Sequence, residues 1–284
     1  MSDKPTLADL AAIYGELRAQ EMLDAPALPA IRNALSAAPA VIVDRPVAHQ
    51  REIFAATSGL ALPLYRRAYL DVPLVKIFAL SHKSFAEKAK TWRSLLDGIH
   101  GIGWEHDALD YFESEIGASP FPVPEAARPL RMQAFGGVLI CTNGMHRLVA
   151  AVCWLAAKDG ENARLRKVEV LYSPVNQAAL RVIAEALDAG ARVDAARPQG
   201  TLIVYLRTHS RGLTKYWAAE GRHVRPISAL GGWLSCLRRQ IKGPDAKEAG
   251  LDWQPVSREL VEALADTRWL REQHRAPNYA EKPA

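Results

Sequence analysis

The stretch that most limits how this chain folds is residues 136–160, GGVLICTNGMHRLVAAVCWLAAKDG. An apolar run ends in Thr142-Asn143-Gly144, and a His146-Arg147 pair follows at once. The spacing predicts a β-hairpin, with RMQAF at 131–135 and VLICT at 138–142 joined by a Gly136-Gly137 turn. A helix from Met145 to Lys158 follows, with Leu148, Val152 and Leu155 on its buried face beside Ala151 and Trp154. Asp159-Gly160 stops it. KVEVLY at 167–172 alternates as a strand does.

The turn has the chemistry of an anion site. Asn143 or Gly144 is suited to cap the helix, and Gly144 lets a ligand approach the backbone. The unpaired N–H groups of the first helical turn and the helix dipole favour negative charge there. Arg147 adds a permanent cation with a fork of donors, and His146 adds one or two more. Thr142, Asn143, Gly144, His146 and Arg147 are therefore the candidate phosphate ligands. In the other reading of the same residues, His146 caps the edge of a core and Arg147 pairs with a surface acid.

Taken together, GGVLICTNGMHRLVAAVCWLA and LRKVEVLY resemble the ParB/sulfiredoxin superfamily over roughly 45 residues. The match is Gly144, His146 and Arg147, then Ala150 and Ala151, then the strand at 167–172. The resemblance implies an α/β core of hairpin, helix and strand whose turn holds the phosphates of ATP or CTP. Met145 stands where sulfiredoxin-like members have a catalytic Cys, so sulfinic acid reduction is not implied. Asn143 stands where kinase-like members have an Asp, and an amide is no base. Glu105, Asp107 and Glu113, from the segment before the hairpin, are the candidates for a base or a Mg²⁺ ligand.

Three units are expected: a helical N-terminal extension at 1–64, the nucleotide-binding core at 65–190, and a mixed, basic C-terminal region at 198–284. Leu7, Leu10, Ile13, Leu17 and Met22 give residues 6–23 helical spacing, and a short helix is expected at 30–37. AVIVD at 40–44 and LVKIFAL at 74–80 read as strands. Ser81–Ser84 reads as the cap of a helix over 85–96. Residues 97–128 read as loop, with a short helix at 108–116. A helix runs from Pro174 to about Leu187, a linker covers 188–200, and TLIVYL at 201–206 is a strand. A last helix is expected over 257–273.

The net charge of +5 is uneven. Nine Lys or Arg residues but a single acid, Glu220, lie between Arg197 and Lys242, which suggests phosphate or nucleic acid as a partner. Residues 212–241 read as two helices around a turn at 221–226, a helix-turn-helix-like arrangement. Arg207, Arg211, Lys215, Arg222, Arg225, Arg238 and Arg239 are the candidate DNA contacts. The three cysteines, Cys141, Cys153 and Cys236, lie far apart in apolar segments. They fit buried thiols rather than disulfides or zinc, so no structural metal is expected. No apolar run reaches the length of a membrane span, and the charged N-terminus lacks a signal peptide's apolar segment. A cytoplasmic protein without a membrane partner is expected.

These features point to a nucleoside triphosphate binder acting at DNA, by NTP hydrolysis, nuclease action or nucleotide-switched DNA binding. A non-catalytic adaptor that keeps the anion pocket and a small-molecule kinase are the readings left beside it.

Overall fold

The computed structural model describes residues 27–99, 104–123, 128–227 and 251–275. Among these, two sheets form. The first contains β1 (Ala48–His49), β2 (Arg66–Pro73), β3 (Ile77–Leu80), β4 (Arg131–Phe135), β5 (Val138–Asn143) and β6 (Arg164–Ser173), in the order β1-β3-β5-β4-β6-β2. The pair β4–β5 is the expected hairpin, in register from Phe135↔Val138 around Gly136-Gly137. The β6 strand returns parallel to β4, and β1, β3 and β5 run parallel to one another.

Alternation divides the sheet. Met132, Ala134, Leu139 and Cys141 face one core; Phe135, Val138 and Ile140 face another. The first core is centred on α5 (Met145–Asp159). Around it pack α1 (Ala27–Ala34), α2 (Ala40–Val43), α3 (Trp92–Leu96) and α4 (Asp107–Glu113). Small residues on α5, Ala150, Ala151 and Ala156, are fully buried and let these helices come close on several sides. The helix is therefore buried almost all round, and Trp154 is only half-buried, with Nε1 donating to Glu113 Oε1 at 2.9 Å.

The second core lies between the first sheet, α6 (Gln177–Asp188), α7 (Arg258–Ala265) and a second, antiparallel sheet. That sheet has the order β10-β9-β8-β7-β11, with β7 (Arg192–Ala196), β8 (Val204–Ser210), β9 (Leu213–Glu220), β10 (His223–Ile227) and β11 (Gln254–Pro255). A last helix, α8 (Arg268–Arg275), follows α7.

Several expectations are overturned, each by a contact distant in sequence or by turn chemistry. Residues 213–227 are two strands, not a helix-turn-helix. Arg211 and Gly212 both have positive φ, as does Gly221, and two-residue turns close Ser210↔Leu213 and Glu220↔His223. The second proposed helix and its Arg238 and Arg239 lie outside the described residues, as do the 6–23 helix and Cys236. Residues 40–43 are a short helix rather than a strand, with Ile42 and Val43 buried against the first core. The strand expected at 74–80 begins only at Ile77, after a 3₁₀ turn. The helix expected over 85–96 is α-helical only from Trp92, capped by Thr91 through Ser94 N–H. The linker expected at 188–200 contains β7. The single helix expected over 257–273 breaks after Ala265, where the Asp266 carboxylate accepts from Arg268 and Lys76. Where described, the N-terminal segment packs on the rest: α1 and α2 share the first core and β1 extends the first sheet. No described helix is long and apolar enough to cross a membrane.

Candidate functional site

Because β1, β3 and β5 are parallel, His49, Leu80 and Asn143 end at one edge of the sheet. The carboxyl ends of parallel strands are where α/β sheets bind ligands. At β5 the chain turns through Gly144, with φ +81° and ψ 36°, directly into the fifteen-residue α5. No side chain caps that helix. The first N–H groups of an α-helix have no partner within the helix itself.

The side chains expected to face the ligand divide. His146 is half-buried, with its ring edge-on to Phe85 at 4.2 Å between centroids. Arg147 folds inward and is only 9% exposed. A Cβ placed on Gly144 would stand 3.2 Å from Arg147 Nε and Nη2, so the guanidinium lies against the glycine. Its Nη2 donates to Arg128 O at 2.7 Å and its Cζ sits 5.3 Å from the Phe121 ring centre. Nη1 is buried with no hydrogen-bond partner, and so is the nearby Tyr111 hydroxyl. Burial pushes the Tyr111 pKa up, with the Arg147 charge opposing it. Asn143 does not cap the helix: its Nδ2 donates to Pro129 O at 2.6 Å, and to Arg128 O at 3.4 Å. Thr142 is exposed and donates to Arg131 O at 3.3 Å. Asn143 and Arg147 thus hold the backbone at 128–129 beside the turn instead of facing an open hollow. The spacing placed the residues at the turn; rotamer choice, set by Phe121 and the Arg128 carbonyl, turned one of them away.

Arg147 is consequently a stability residue in this state. Arg147→Ala should cost about 2–3 kcal/mol, from a lost charged hydrogen bond and an unfilled space over Phe121. Urea unfolding measures this. A variant as stable as the parent would place the guanidinium in solvent.

The three candidate acids are not gathered at the turn. Glu113 accepts from Lys158 and Trp154, and Lys158 holds its pKa below the usual carboxylate range. Trp154 lies eight residues beyond His146, about 12 Å along the helix. Glu105 and Asp107 are exposed at the start of α4. Among the described residues no group of His, Cys, Asp and Glu is placed to hold a metal. Cys141 and Cys153 are buried free thiols, and burial pushes both pKa values up to about 12.

Sequence reasoning missed the groups on the other side of the same edge. A cavity of about 350 Å³ is lined by His49, Arg51, His82, Lys83, Ser84 and Glu87, together with Glu52. The next residue, Phe85, is the one that touches His146. The Arg51 backbone N–H donates to His49 Nδ1 at 3.0 Å. When neutral, His49 therefore carries its proton on Nε2. Burial above all, helped by Arg51, lowers its pKa and keeps it neutral near pH 7. Lys83 is set in place by the carbonyls of Val47 and Ala89, both at 3.1 Å. The available signal was the SHKS run at 81–84 after a strand, which reads as a helix cap until β1 is brought beside β3.

The candidate DNA contacts do not share a face. Arg211 and Arg222 occupy the turns at opposite ends of the eight-residue β9, about 27 Å apart along the strand. Register puts Arg207 beside Tyr216 and Arg225 beside Ala218 on one face, and Lys215 on the other. Arg207 is occupied by Asp194 at 2.9 Å and by Trp253, 4.3 Å from the ring centre. Arg211, Lys215, Arg222 and Arg225 are exposed or nearly so. No family model, no curated protein and no solved structure matches the chain.

Proposed function

We propose that this protein binds a nucleoside triphosphate, ATP or CTP, and that the nucleotide regulates its contact with DNA. The observation that carries this reading is the left-handed Gly144 opening an uncapped, fifteen-residue helix beside a cavity with two imidazoles and two permanent cations. An uncapped helix N-terminus favours phosphate. The order of hairpin, helix and a strand returning parallel to β4 suits the ParB/sulfiredoxin-like core that the resemblance implies. The part played at DNA rests on the exposed cations at the two hairpin turns.

Regulation is preferred to hydrolysis because Glu113 is paired two helical turns away and Arg147 is held inward. The same observation favours the adaptor reading, in which the pocket serves a partner and turnover never occurs. A thermal-shift series with ATP, CTP, GTP and UTP, with and without Mg²⁺, tests the proposal. A ligand at a hundred times its Kd should contribute about 2.7 kcal/mol and raise Tm by several degrees. No shift with any nucleotide would overturn it. Conversion of the triphosphate to nucleoside diphosphate and inorganic phosphate, with Mg²⁺ and DNA present, would replace regulation by hydrolysis.

A further inference from the structure

The His49–His82 cavity is half of a longer cleft. A second cavity, of about 360 Å³, lies along the same edge strand β1 and shares Lys83 and Glu52 as walls with the first. Its lining is mixed: Val47, Ile53, Phe78, Pro255 and Leu260 stand with Lys90, Ser257 and Glu259. The first end of the cleft is lined by polar and charged side chains and the second carries the apolar ones, and the size of each end is that of a small-molecule site.

The walls are fixed in advance. Gln254 on β11 accepts from Ala55 N–H at 2.9 Å and donates to Arg51 O at 2.6 Å, so the far wall is tied to the segment after β1. Glu52 accepts from His49 N–H at 2.9 Å. The ammonium of Lys83 stands where the two cavities meet, with two of its three donors on Val47 and Ala89.

We infer that this cleft seats the nucleotide in one orientation, with the phosphates at the His49–His82 end and the base between Phe78 and Leu260. The inference rests on the nucleotide-binding reading above and assigns its site. A nucleoside phosphate has the same division, a flat, weakly polar ring at one end and charge at the other. Lys83, at the boundary, meets the first phosphate. His49 donates through Nε2–H, and Arg51 and His82 add donors. Glu52 and Glu87 offset the charges of Arg51 and Lys83, so the polar end suits a triphosphate carrying Mg²⁺ better than a bare one.

Two measurements test it. Photolabelling with 8-azido-ATP reports where the base lies, since the azide is on the ring. Label in the peptides spanning 46–53 or 253–260 is expected, and label confined to α5 would overturn the orientation. Titration of His82→Ala with MgATP should show affinity about tenfold or more below the parent, the scale of a lost charged hydrogen bond. The variant should remain folded, because His82 is exposed. Unchanged affinity would remove the polar end from the site while leaving nucleotide binding intact. If the parent protein binds no nucleotide, the underlying reading and this assignment fall together.

Discussion

Gly137→Ala should destabilise the protein by about 3 kcal/mol, the upper end of the usual cost of overpacking. A Cβ at this position would stand 2.1 Å from Asp266 O and 2.3 Å from Ala263 O. Both are backbone atoms, so no side chain can swing aside. The end of α7 is seated on the hairpin turn: Gly137 N–H donates to Leu264 O at 3.0 Å, and Trp269 Nε1 donates to Gly137 O at 3.2 Å. Moving α7 away would break both bonds and open the second core around Leu264, which is fully buried. The matched control is Gly190→Ala. Gly190 has the left-handed conformation that Gly137 lacks, φ +73°, and nothing lies within 4 Å of the added carbon. It should lose only the left-handed penalty, about 1–2 kcal/mol. Urea unfolding of the two variants separates a steric cost from a conformational one, and equal losses would show that α7 does not sit on the turn.

Asp194→Ala should cost about 3 kcal/mol, at the low end of what removing one partner of a buried ion pair costs. Asp194 is fully buried on β7. Its Oδ1 accepts from Arg192 Nε and Nη2 at 3.2 and 3.1 Å, and its Oδ2 accepts from Arg207 Nε at 2.9 Å. His209 Nε2 lies 3.6 Å from Oδ2, while His209 Nδ1 shares a 2.8 Å hydrogen bond with Thr214. Removing the carboxylate leaves Arg207 beneath Trp253 with its charge unpaired and half out of water. The figure stays at the low end because Arg192 is largely exposed and recovers solvent. Asp194→Asn keeps the shape and one carbonyl acceptor, so it should lose less than the alanine variant. Chemical denaturation of both variants checks the order; an alanine variant as stable as the parent would show that the two arginines need no counter-charge.

Both effects concern residues whose importance is invisible locally. Gly136-Gly137 was legible as a hairpin turn, but α7 standing above it comes from residues more than 120 positions later. Asp194 sits in DAGARVDAARPQG, whose glycines and short side chains read as a linker. Its partner Arg207 becomes adjacent only when β7 pairs with β8. The misread helices at 213–227 have a related cause. Ala218 and Ala219 suit a helix, yet Thr214, Tyr216, Trp217, Val224 and Ile227 suit strands, and the two-residue turns decide between them. At the candidate site, Gly144 and the helix behind it were legible, while His49 and His82 were not, because one ends β1 and the other follows β3, 33 residues apart in sequence.

By itself the sequence determined the elements whose causes are short-range. These are the Gly-Gly hairpin, the glycine at the head of α5, the small-residue helix and the returning strand. Each depends on backbone dihedrals and periodicity within a few residues. Only the tertiary structure decided which way the polar side chains point. Arg147 turns inward because Phe121 and the Arg128 carbonyl offer its guanidinium more than the open edge does. The cleft along β1 exists because β3 and α7 bring the histidines and Leu260 to the same strand. Burial and partner geometry set those outcomes, and they are properties of the packed chain rather than of any segment.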